Sequence, residues 1–595
     1  MSELRIQLLW LGIVFLIILL LGGLWRIQVK QGSHFFLISE DNRIKHIPLE
    51  AQRGTIYDRH KKVLVDSRPA FNVLFVAHEL KKNPKTINRL AKIMNVDPQN
   101  IWNKIRKNRN PAFLPSKLFQ DITRKQLAQI EERTFALPGI FVNVQPKRRY
   151  LNGQAAAHVL GYVGELNRKE LNQMKSYGYV LGDSSGKDGV ERVYEHYLKG
   201  EKGGQQIEVT ASGRPHKELG YKEPRKGHDL LLTIDLDVQK LVDQAMSKHK
   251  GAVVVMHPQN GEILAMGSYP SFDPNLFSEP SRYKELKDLL NNRKSNPLMN
   301  RAIRSTYSPG SIFKIFIALL GLEDKEITAM DLVTCTGSYR IGRLFHCWYE
   351  TGHGPLSVKG ALRTSCNVFF YRLGVKLGVK RISTFIKLLG FGQRTGVDLL
   401  GEQSGFVPTP SWKKERFKES WYPGETVNLS IGQGYLLVTP LQLLNCVNVI
   451  VNGGTFHQPH LLKTIFNRGE EALEPIMSKA KEFLFNKENL NLVRGGMKDV
   501  VNDPRGSGQR AFLDNVVVAG KTGTVQVVGR KTIELISGEI PEKYRNHAWF
   551  AGYAPFEDPQ VSIIVFLEHG QSGGRYAAVV AHEILKGIFD LPQYI

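Results

Sequence analysis

The sequence has no long low-complexity tract and only four cysteines in 595 residues. In addition, 42% of its residues are hydrophobic. Together these two features exclude a largely disordered chain. At this length two or three domains are expected. Acidic residues are also few: 56 Asp and Glu against 80 Lys and Arg give a net charge of +24. That excess suits an anionic partner such as nucleic acid, acidic lipid or a polyanionic envelope, although a diffusely basic surface shows the same balance.

The zinc-hydrolase motif H-E-x-x-H is also missing. Its two candidate His-Glu pairs, at His78 and His582, have Lys82 and Lys586 where the second histidine should be. This argues against a catalytic zinc centre of that kind.

The N-terminus contains an apolar run of 18 residues without a charge, from Leu8 to Trp25, between Arg5 and Arg26. The run is long enough to span a bilayer, and no small-residue cleavage site follows it. We therefore predict an uncleaved membrane anchor at residues 8–28 after a short N-terminal segment, 1–7. A buried core helix is the alternative. The flanking charges do not fix the orientation, and an anchor makes a nucleic-acid role less favoured.

After the anchor, residues 29–225 form a mixed segment that ends in the turn-rich "GRPHKELGYKEPRKGHD", which we take as a domain boundary. Next, "HDLLLTIDLDVQKLVDQAM" predicts a strand, a capping Asp and an amphipathic helix. "GAVVVMHPQNGEILAMGSY" predicts a hairpin. Strands and helices continue to alternate, so residues 226–595 are expected to form one large α/β or α+β domain.

The segment "YSPGSIFKIFIALLGLE" carries the strongest chemical signal. Ser308 is a candidate N-cap and Pro309 suits the first helical position, so a helix is predicted to begin just before Ser311. Lys314 lies on the same face, among apolar residues that favour a neutral amine able to accept the serine proton. A capping serine followed by a lysine that extends to solvent explains S-x-x-K equally well.

Two further segments supply partners for that pair. "SCN" at 365–367 places a hydroxyl and an amide two residues apart, before a helix-like run. "VVVAGKTGTVQVV" at 516–528 predicts a strand on which Thr522 and Thr524 share one side. S-x-x-K, S-x-N and K-T-G in this order are the motif set of penicillin-binding proteins and serine β-lactamases.

With these motifs the chain resembles a class B penicillin-binding protein over nearly its whole length, including "RGTIYDR", "GVERVYEHYLKG", "LSIGQGYLLVTPLQL" and "HAWFAGYAP". "GHGPLS" before a cysteine-containing "SCN" is similar to the elongation type, penicillin-binding protein 2. The resemblance implies a transmembrane helix, a mixed α+β pedestal of the dimerisation type at 29–225, and an α/β transpeptidase domain like serine β-lactamases, with a central antiparallel sheet, at 226–595.

The resemblance also implies roles in peptide cross-linking of peptidoglycan. Ser311 would attack the carbonyl between two D-alanines and Lys314 would take its proton. Ser365 would relay protons with Lys521 to the departing D-alanine, and Asn367 would hold the peptide and orient Lys314.

Substrate binding is assigned by the same resemblance. Thr522 and Thr524 would bind the terminal carboxylate, and Gly523 leaves room for the substrate backbone. The N–H groups of Ser311 and Thr524 would form the oxyanion hole, where loss of one donor typically costs ~3 kcal/mol.

Two other classes of function remain open from the residues. A carboxypeptidase or β-lactamase uses the same first step, since acyl transfer to water and to an amine begin alike. A β-lactam sensor or a silent scaffold is the other alternative. The long N-terminal module favours the transpeptidase.

The resemblance further implies a cellular location and partners. The chain would be a single-pass inner-membrane protein with residues 1–7 in the cytoplasm and its catalytic domain in the periplasm. It would bind stem peptides and β-lactams and work with a SEDS-type (RodA-like) glycosyltransferase and other elongation-complex proteins. No organic cofactor and no nucleic acid are expected.

Three cysteines cluster in one segment with His353, as Cys335, Cys347 and Cys366. These four N/S ligands suit structural zinc, although the spacing is not that of a common zinc finger. A disulfide or free thiols are the alternatives, but a disulfide leaves one of the three unpaired. Some elongation-type relatives hold zinc near this loop with carboxylates where Cys335 and Cys347 stand. Cys446 lies in an apolar stretch and is interpreted as buried.

Overall fold

The computed structural model describes residues 2–35, 44–107, 115–174, 178–179, 183–209, 215–467, 471–472, 479–528 and 539–594. The chain forms two compact units. The small unit comprises 1–53, 67–147 and 199–227, and the large unit comprises 54–66, 148–198 and 228–595. Segments 54–66 and 148–198, which precede the predicted boundary at residue 225, therefore belong to the large unit.

The N-terminal apolar run forms an α-helix over Ser2–Trp25 that continues as a π-helical turn over Arg26–Lys30. Residues 3–30 are long and apolar enough to cross a membrane, and none of the most apolar stretch is buried in the protein. Its exposed leucine and isoleucine side chains need an apolar environment, as a single membrane anchor provides.

The small unit combines a three-stranded antiparallel sheet with a helical cluster. The sheet strands are Ile44–Leu49, Gly203–Val209 and Pro215–Lys222, so part of the turn-rich boundary segment is a strand. Its other elements are Ala77–Lys82, Lys85–Met94, Pro98–Lys107, Ser116–Phe119, Arg124–Glu131 and Thr134–Ala136, with part of the strands Val63–Phe75 and Ile140–Tyr150. Apolar residues at helical spacing, such as Ile87, Leu90 and Ile101, form its core.

A five-stranded antiparallel sheet organises the large unit. Its strands are β1 (Gly251–Met256), β2 (Ile263–Tyr269), β3 (Ala519–Val525), β4 (His547–Ala554) and β5 (Val561–Leu567), in the spatial order β2-β1-β5-β4-β3. The predicted hairpin is confirmed by the antiparallel pairing of β1 with β2.

Both faces of this sheet are covered, which explains why β1, β2 and β5 are buried along their whole length. Val253 and Val255 pack with helices α1 (Leu236–Ala245) and α5 (Ala578–Phe589). Ala252, Val254 and Met256 face the other core, which contains α2 (Lys314–Glu323), α3 (Asn367–Leu388) and α4 (Lys487–Asn502). Alternate residues of a strand point to opposite faces, so one apolar run supplies two cores.

The predicted strand, capping Asp and helix at the start of this unit are confirmed. Asp229–Leu232 is a strand, and Asp235 caps α1 by accepting hydrogen bonds from two backbone N–H groups. The remaining strands are Ile56–Tyr57, Val163–Glu165, Ser184–Gly186, Val333–Cys335, Ser338–Ile341, Arg343–His346, Gly354–Leu356, Thr455–His457, Leu462–Asn467, Glu471–Ala472 and Ala480–Glu482. The remaining α-helices are Ala157–Leu160, Arg168–Met174, Gly189–Val193, Glu195–Leu198, Tyr283–Asn291, Val358–Arg363, Pro410–Phe417, Pro423–Ser430 and Pro440–Val451.

A buried ion pair makes a testable contribution to the large unit. Arg148 Nε lies 2.6 Å from Glu191 Oε1, with side chains 2% and 0% exposed. We expect Arg148→Met to lower the free energy of unfolding by about 3–5 kcal/mol, because it removes the oppositely charged side chain beside a buried carboxylate. Urea denaturation measures this. The control is Arg149→Met, whose half-exposed pair with Asp66 should cost less than about 1 kcal/mol. Equal losses in both variants would contradict the interpretation.

Candidate active site

Ser311 lies in a 3-10 helix, Gly310–Phe313, that leads directly into α2 at Lys314. The predicted cap by Ser308 is wrong, since Pro309 is the N-cap residue of this turn and makes no side-chain cap hydrogen bond. A long-range contact positions it instead: Gly310 has a φ of +57° and its N–H donates to the carbonyl of Gly432 at 2.9 Å. A Cβ at residue 310 would lie 2.7 Å from Val525 Cγ2, so glycine lets the Ser311 segment approach β3 closely.

The Lys314 side chain is fully buried. Its Nζ donates to the backbone carbonyl of Ser365 at 2.8 Å and to Asn367 Oδ1 at 2.7 Å, and lies 3.3 Å from Ser365 Oγ. Burial lowers the pKa of Lys314 from its usual range to about 8, because transfer from water disfavours the charged amine. S-x-x-K and S-x-N therefore meet at one lysine.

A second buried lysine reaches the same serine from β3. Lys521 Nζ donates to Ser365 Oγ at 2.8 Å and to the Thr522 carbonyl at 3.1 Å. Burial lowers the pKa of Lys521 well below its usual value, and the nearby charge of Lys314 lowers it further. Two ammonium groups this close to one hydroxyl repel each other, so the pair favours holding fewer than two charges.

The threonines of β3 contact two neighbouring loops, one at Ser507 and one at Gly573. Gly573 N–H donates to Thr524 Oγ1 at 3.2 Å, and Thr522 Oγ1 lies 3.0 Å from Ser507 Oγ. A Cβ at Gly573 would lie 2.3 Å from the Gly523 carbonyl, so the loop can pass this strand only with glycine there. Thr524 is exposed, which leaves it accessible to a ligand.

Ser365 is held in an unusual backbone conformation, with a φ of +53°. Its carbonyl accepts hydrogen bonds both from Lys314 and from the indole N–H of Trp348 at 3.2 Å. The next residue, Cys366, precedes α3 and accepts from the N–H of Phe369 through its sulfur. A strained residue held from several sides is typical of functional sites.

The structure brings Cys335, Cys347, His353 and Cys366 together. Their ligand atoms all lie within 4.8 Å of one another, and the four cysteines of the chain are free thiols. His353 Nδ1 lies 3.6 Å from both Cys335 Sγ and Cys347 Sγ. Zinc bonds of about 2.3 Å to sulfur and about 2.0 Å to nitrogen at tetrahedral angles separate such atoms by about 3.5 Å. The arrangement therefore fits a four-coordinate ion.

The electrostatics of this cluster also suit a cation. The hydrogen bond between the two sulfurs lowers the pKa of the Cys347 thiol and raises the pKa of the Cys366 thiol. A metal binds the thiolate form of cysteine, so the lowered pKa of Cys347 favours metal binding here. Cys446 is separate and buried, with its Sγ 3.3 Å from the Leu389 carbonyl.

Sequence reasoning missed four residues that position this site: Trp348, Gly432, Ser507 and Gly573. Trp348, Ser507 and Gly573 each contact a motif residue, and Gly432 contacts Gly310, the residue before S-x-x-K. Glycine and serine in "RGSGQR" and "HGQSGG" mark the last two as loops, but nothing local shows which strand those loops meet.

Two family models match this chain. The "Penicillin binding protein transpeptidase domain" matches residues 251–586, and the "Penicillin-binding Protein dimerisation domain" matches residues 48–232. Among curated proteins, the peptidoglycan D,D-transpeptidase MrdA of Haemophilus influenzae is 33% identical over 98% of this chain and 91% of the relative. MrdA of Escherichia coli K12 is 32% identical over 95% and 90%.

Solved structures show the same likeness. Penicillin-binding protein PBP2 of Helicobacter pylori, in a complex with MreC, is 29% identical with a TM-score of 0.79 and covers 92% of this chain and 99% of its own. A chain from a peptidoglycan synthase complex that coordinates polymerization and crosslinking is 28% identical with a TM-score of 0.73, and covers 99% of this chain and 98% of its own. The predicted fold, an anchor helix, a pedestal and a transpeptidase domain with an antiparallel sheet, is confirmed.

Proposed function

This chain belongs to the class B penicillin-binding proteins of the PBP2 (MrdA) type, and from that premise we propose that it is the D,D-transpeptidase that cross-links peptidoglycan during cell elongation. The observation that carries the proposal is a hydrogen-bond network that joins Lys314, Ser365, Asn367 and Lys521, in which Lys314 follows Ser311 by three residues. The long N-terminal module favours cross-linking over simple hydrolysis.

Lys314 is the general base in the first step. A neutral amine has two N–H groups and one lone pair, and its two short contacts, to the Ser365 carbonyl and Asn367 Oδ1, occupy both donors. The lone pair is then left for the Ser311 proton. As Ser311 Oγ bonds to the carbonyl carbon between two D-alanines, its proton moves to Lys314.

Ser365 completes the proton transfer to the leaving group. Its hydroxyl lies between the two lysine amines, 3.3 Å from Lys314 Nζ and 2.8 Å from Lys521 Nζ. When the C–N bond breaks, a proton passes through this hydroxyl to the amine of the departing D-alanine. An amine from a second stem peptide then attacks the ester and restores Ser311, while Thr522 and Thr524 hold the donor carboxylate.

The N-terminal helix and the similar proteins support a cellular location and partners for this reaction. We propose that the helix at the N-terminus holds the chain in the inner membrane with the large unit in the periplasm. The partners would be a SEDS-type (RodA-like) glycosyltransferase and proteins of the elongation complex, since similar chains occur with MreC and in a peptidoglycan synthase complex.

The Cys335, Cys347, His353 and Cys366 cluster would hold a structural zinc ion. Four ligands close the coordination shell and leave no position for a substrate. The zinc would fix the segment that carries Ser365 and Asn367, because Cys366 lies between them and the Asn367 N–H donates to Cys347 Sγ.

The function is tested with a polymerised glycan carrying pentapeptide stems. We expect the full chain to produce cross-linked dimers that depend on Ser311, and Ser311→Ala to produce none. Ser365→Ala should reduce cross-linking about 10²–10⁴-fold, because it removes the proton relay. Mass spectrometry of digested product distinguishes dimers from trimmed tetrapeptides. Tetrapeptides without dimers would indicate a carboxypeptidase and contradict the proposal.

The pH dependence of acylation follows from Lys314. Its pKa of about 8 means that the neutral, proton-accepting form grows as the pH rises toward 8. We expect the second-order rate constant for acylation by a fluorescent penicillin to rise about tenfold per pH unit from pH 6 to 7.5, then level above about pH 8.5. A constant rate from pH 6 to 9 would show that another group is the base.

Metal content tests the zinc proposal. We expect one equivalent of zinc in the purified protein by elemental analysis, and less than half an equivalent in Cys366→Ser. Cys446→Ser is the matched control and should keep its metal, because that thiol lies outside the cluster. Less than half an equivalent in the parent protein would contradict the proposal.

A further inference from the structure

A cleft of 1040 Å³ in the large unit contains none of the residues assigned above. Its lining includes Lys240, Lys248, Lys250, Arg545, Glu568 and Gln571. The volume is that of a site for a substantial organic ligand. Most of the lining side chains are polar or charged, so the ligand would be polar as well.

The cleft lies at the same end of the central sheet as Thr524. Paired residues form one row across the strands that includes Tyr269, Leu567, Ala548 and Thr524. Tyr269 and Leu567 in this row line the cleft. Leu567 is two strands from Thr524, about 10 Å. An extended peptide of five residues spans about 16 Å, so one peptide can reach from the cleft to the substrate-binding strand.

One loop connects the cleft with the proposed active site. Gly570 and Gln571 line the cleft, and Gly573, two residues further, donates to Thr524 Oγ1. Glu568 at the start of this loop accepts from Tyr307, four residues before Ser311, and from Arg301. Residues that line the cleft are therefore hydrogen-bonded to Tyr307, which precedes the nucleophile in the sequence, and the loop they belong to is hydrogen-bonded to Thr524.

The charges that face the cleft favour a carboxylate ligand. Two of its three carboxylates are already engaged: Asp243 accepts from Tyr269 and Gln239, and Glu568 pairs with Lys250 at 2.8 Å. Glu542 is the third. Lys240 and Lys248 are exposed and form no ion pair within the described part of the chain, so both remain available for a ligand.

We propose that this cleft binds the second substrate, a stem peptide with free carboxylates whose amine attacks the acyl-enzyme. The inference rests on the proposed function, since only a transpeptidase needs a second peptide. Lys240 and Lys248 attract its carboxylates, and the loop that ends at Gly573 guides its amine toward Ser311. The positive charges of these two exposed lysines raise the local concentration of an anionic ligand.

Charge reversal tests the cleft directly. A fluorescent stem pentapeptide is titrated, by anisotropy, into full-length protein whose Ser311 has been acylated with benzylpenicillin, so that the donor position is occupied. The Lys240→Glu/Lys248→Glu double variant should bind the peptide about tenfold more weakly than the parent. The matched control, Lys284→Glu/Lys287→Glu, reverses two exposed lysines outside the lining and should bind like the parent. A peptide with amidated carboxyls should bind weakly to all three proteins.

Each other outcome counts against one specific claim. Equal affinity in the double variant and the parent, or no peptide binding by the acylated parent, would overturn the cleft assignment. If penicillin does not acylate Ser311, the proposed function fails first, and the same titration on Ser311→Ala still decides whether the cleft binds carboxylates. If the double variant also binds the amidated peptide about tenfold more weakly than the parent does, the substitutions have damaged the protein generally. That result would overturn the assignment as well.

Discussion

The burial of two lysine amines against one serine hydroxyl is the constraint on which the rest of this site depends. Lys314 and Lys521 are both fully buried and both contact Ser365. Burial destabilises the charged form of an amine unless partners compensate. It therefore lowers the pKa of Lys314 to about 8. The covered sheet and the apolar helix α2 exclude water from these amines, so the fold itself sets their proton affinity.

Several contacts hold the Ser365 segment in place. Its backbone is in the left-handed region, its carbonyl accepts from Lys314 and Trp348, and Cys366 starts helix α3. Under the zinc proposal, a metal ion fastens the middle residue of S-x-N while the residues on either side face the reaction. Cys366 would then hold the segment in place, and Ser365 and Asn367 would take part in the reaction.

Much of this site could be predicted from sequence because its residues occur in short motifs with fixed spacing. Lys314 was expected to be buried from its apolar neighbours, and the cysteine and histidine cluster from its ligand count. The cap by Ser308 could not be judged locally, because a backbone contact from Gly432 positions that turn. Gly573 and Ser507 were missed for the same reason: close approach between distant loops and β3 is a property of the folded sheet.

Mass spectrometry of the penicillin-treated protein under non-denaturing conditions reports the nucleophile and the metal in one molecule. We expect a single penicillin adduct on Ser311 in a chain that also carries one zinc ion, and slower adduct formation when Cys366→Ser removes the zinc. An adduct on another residue, or an undiminished adduct in Ser311→Ala, would contradict this expectation.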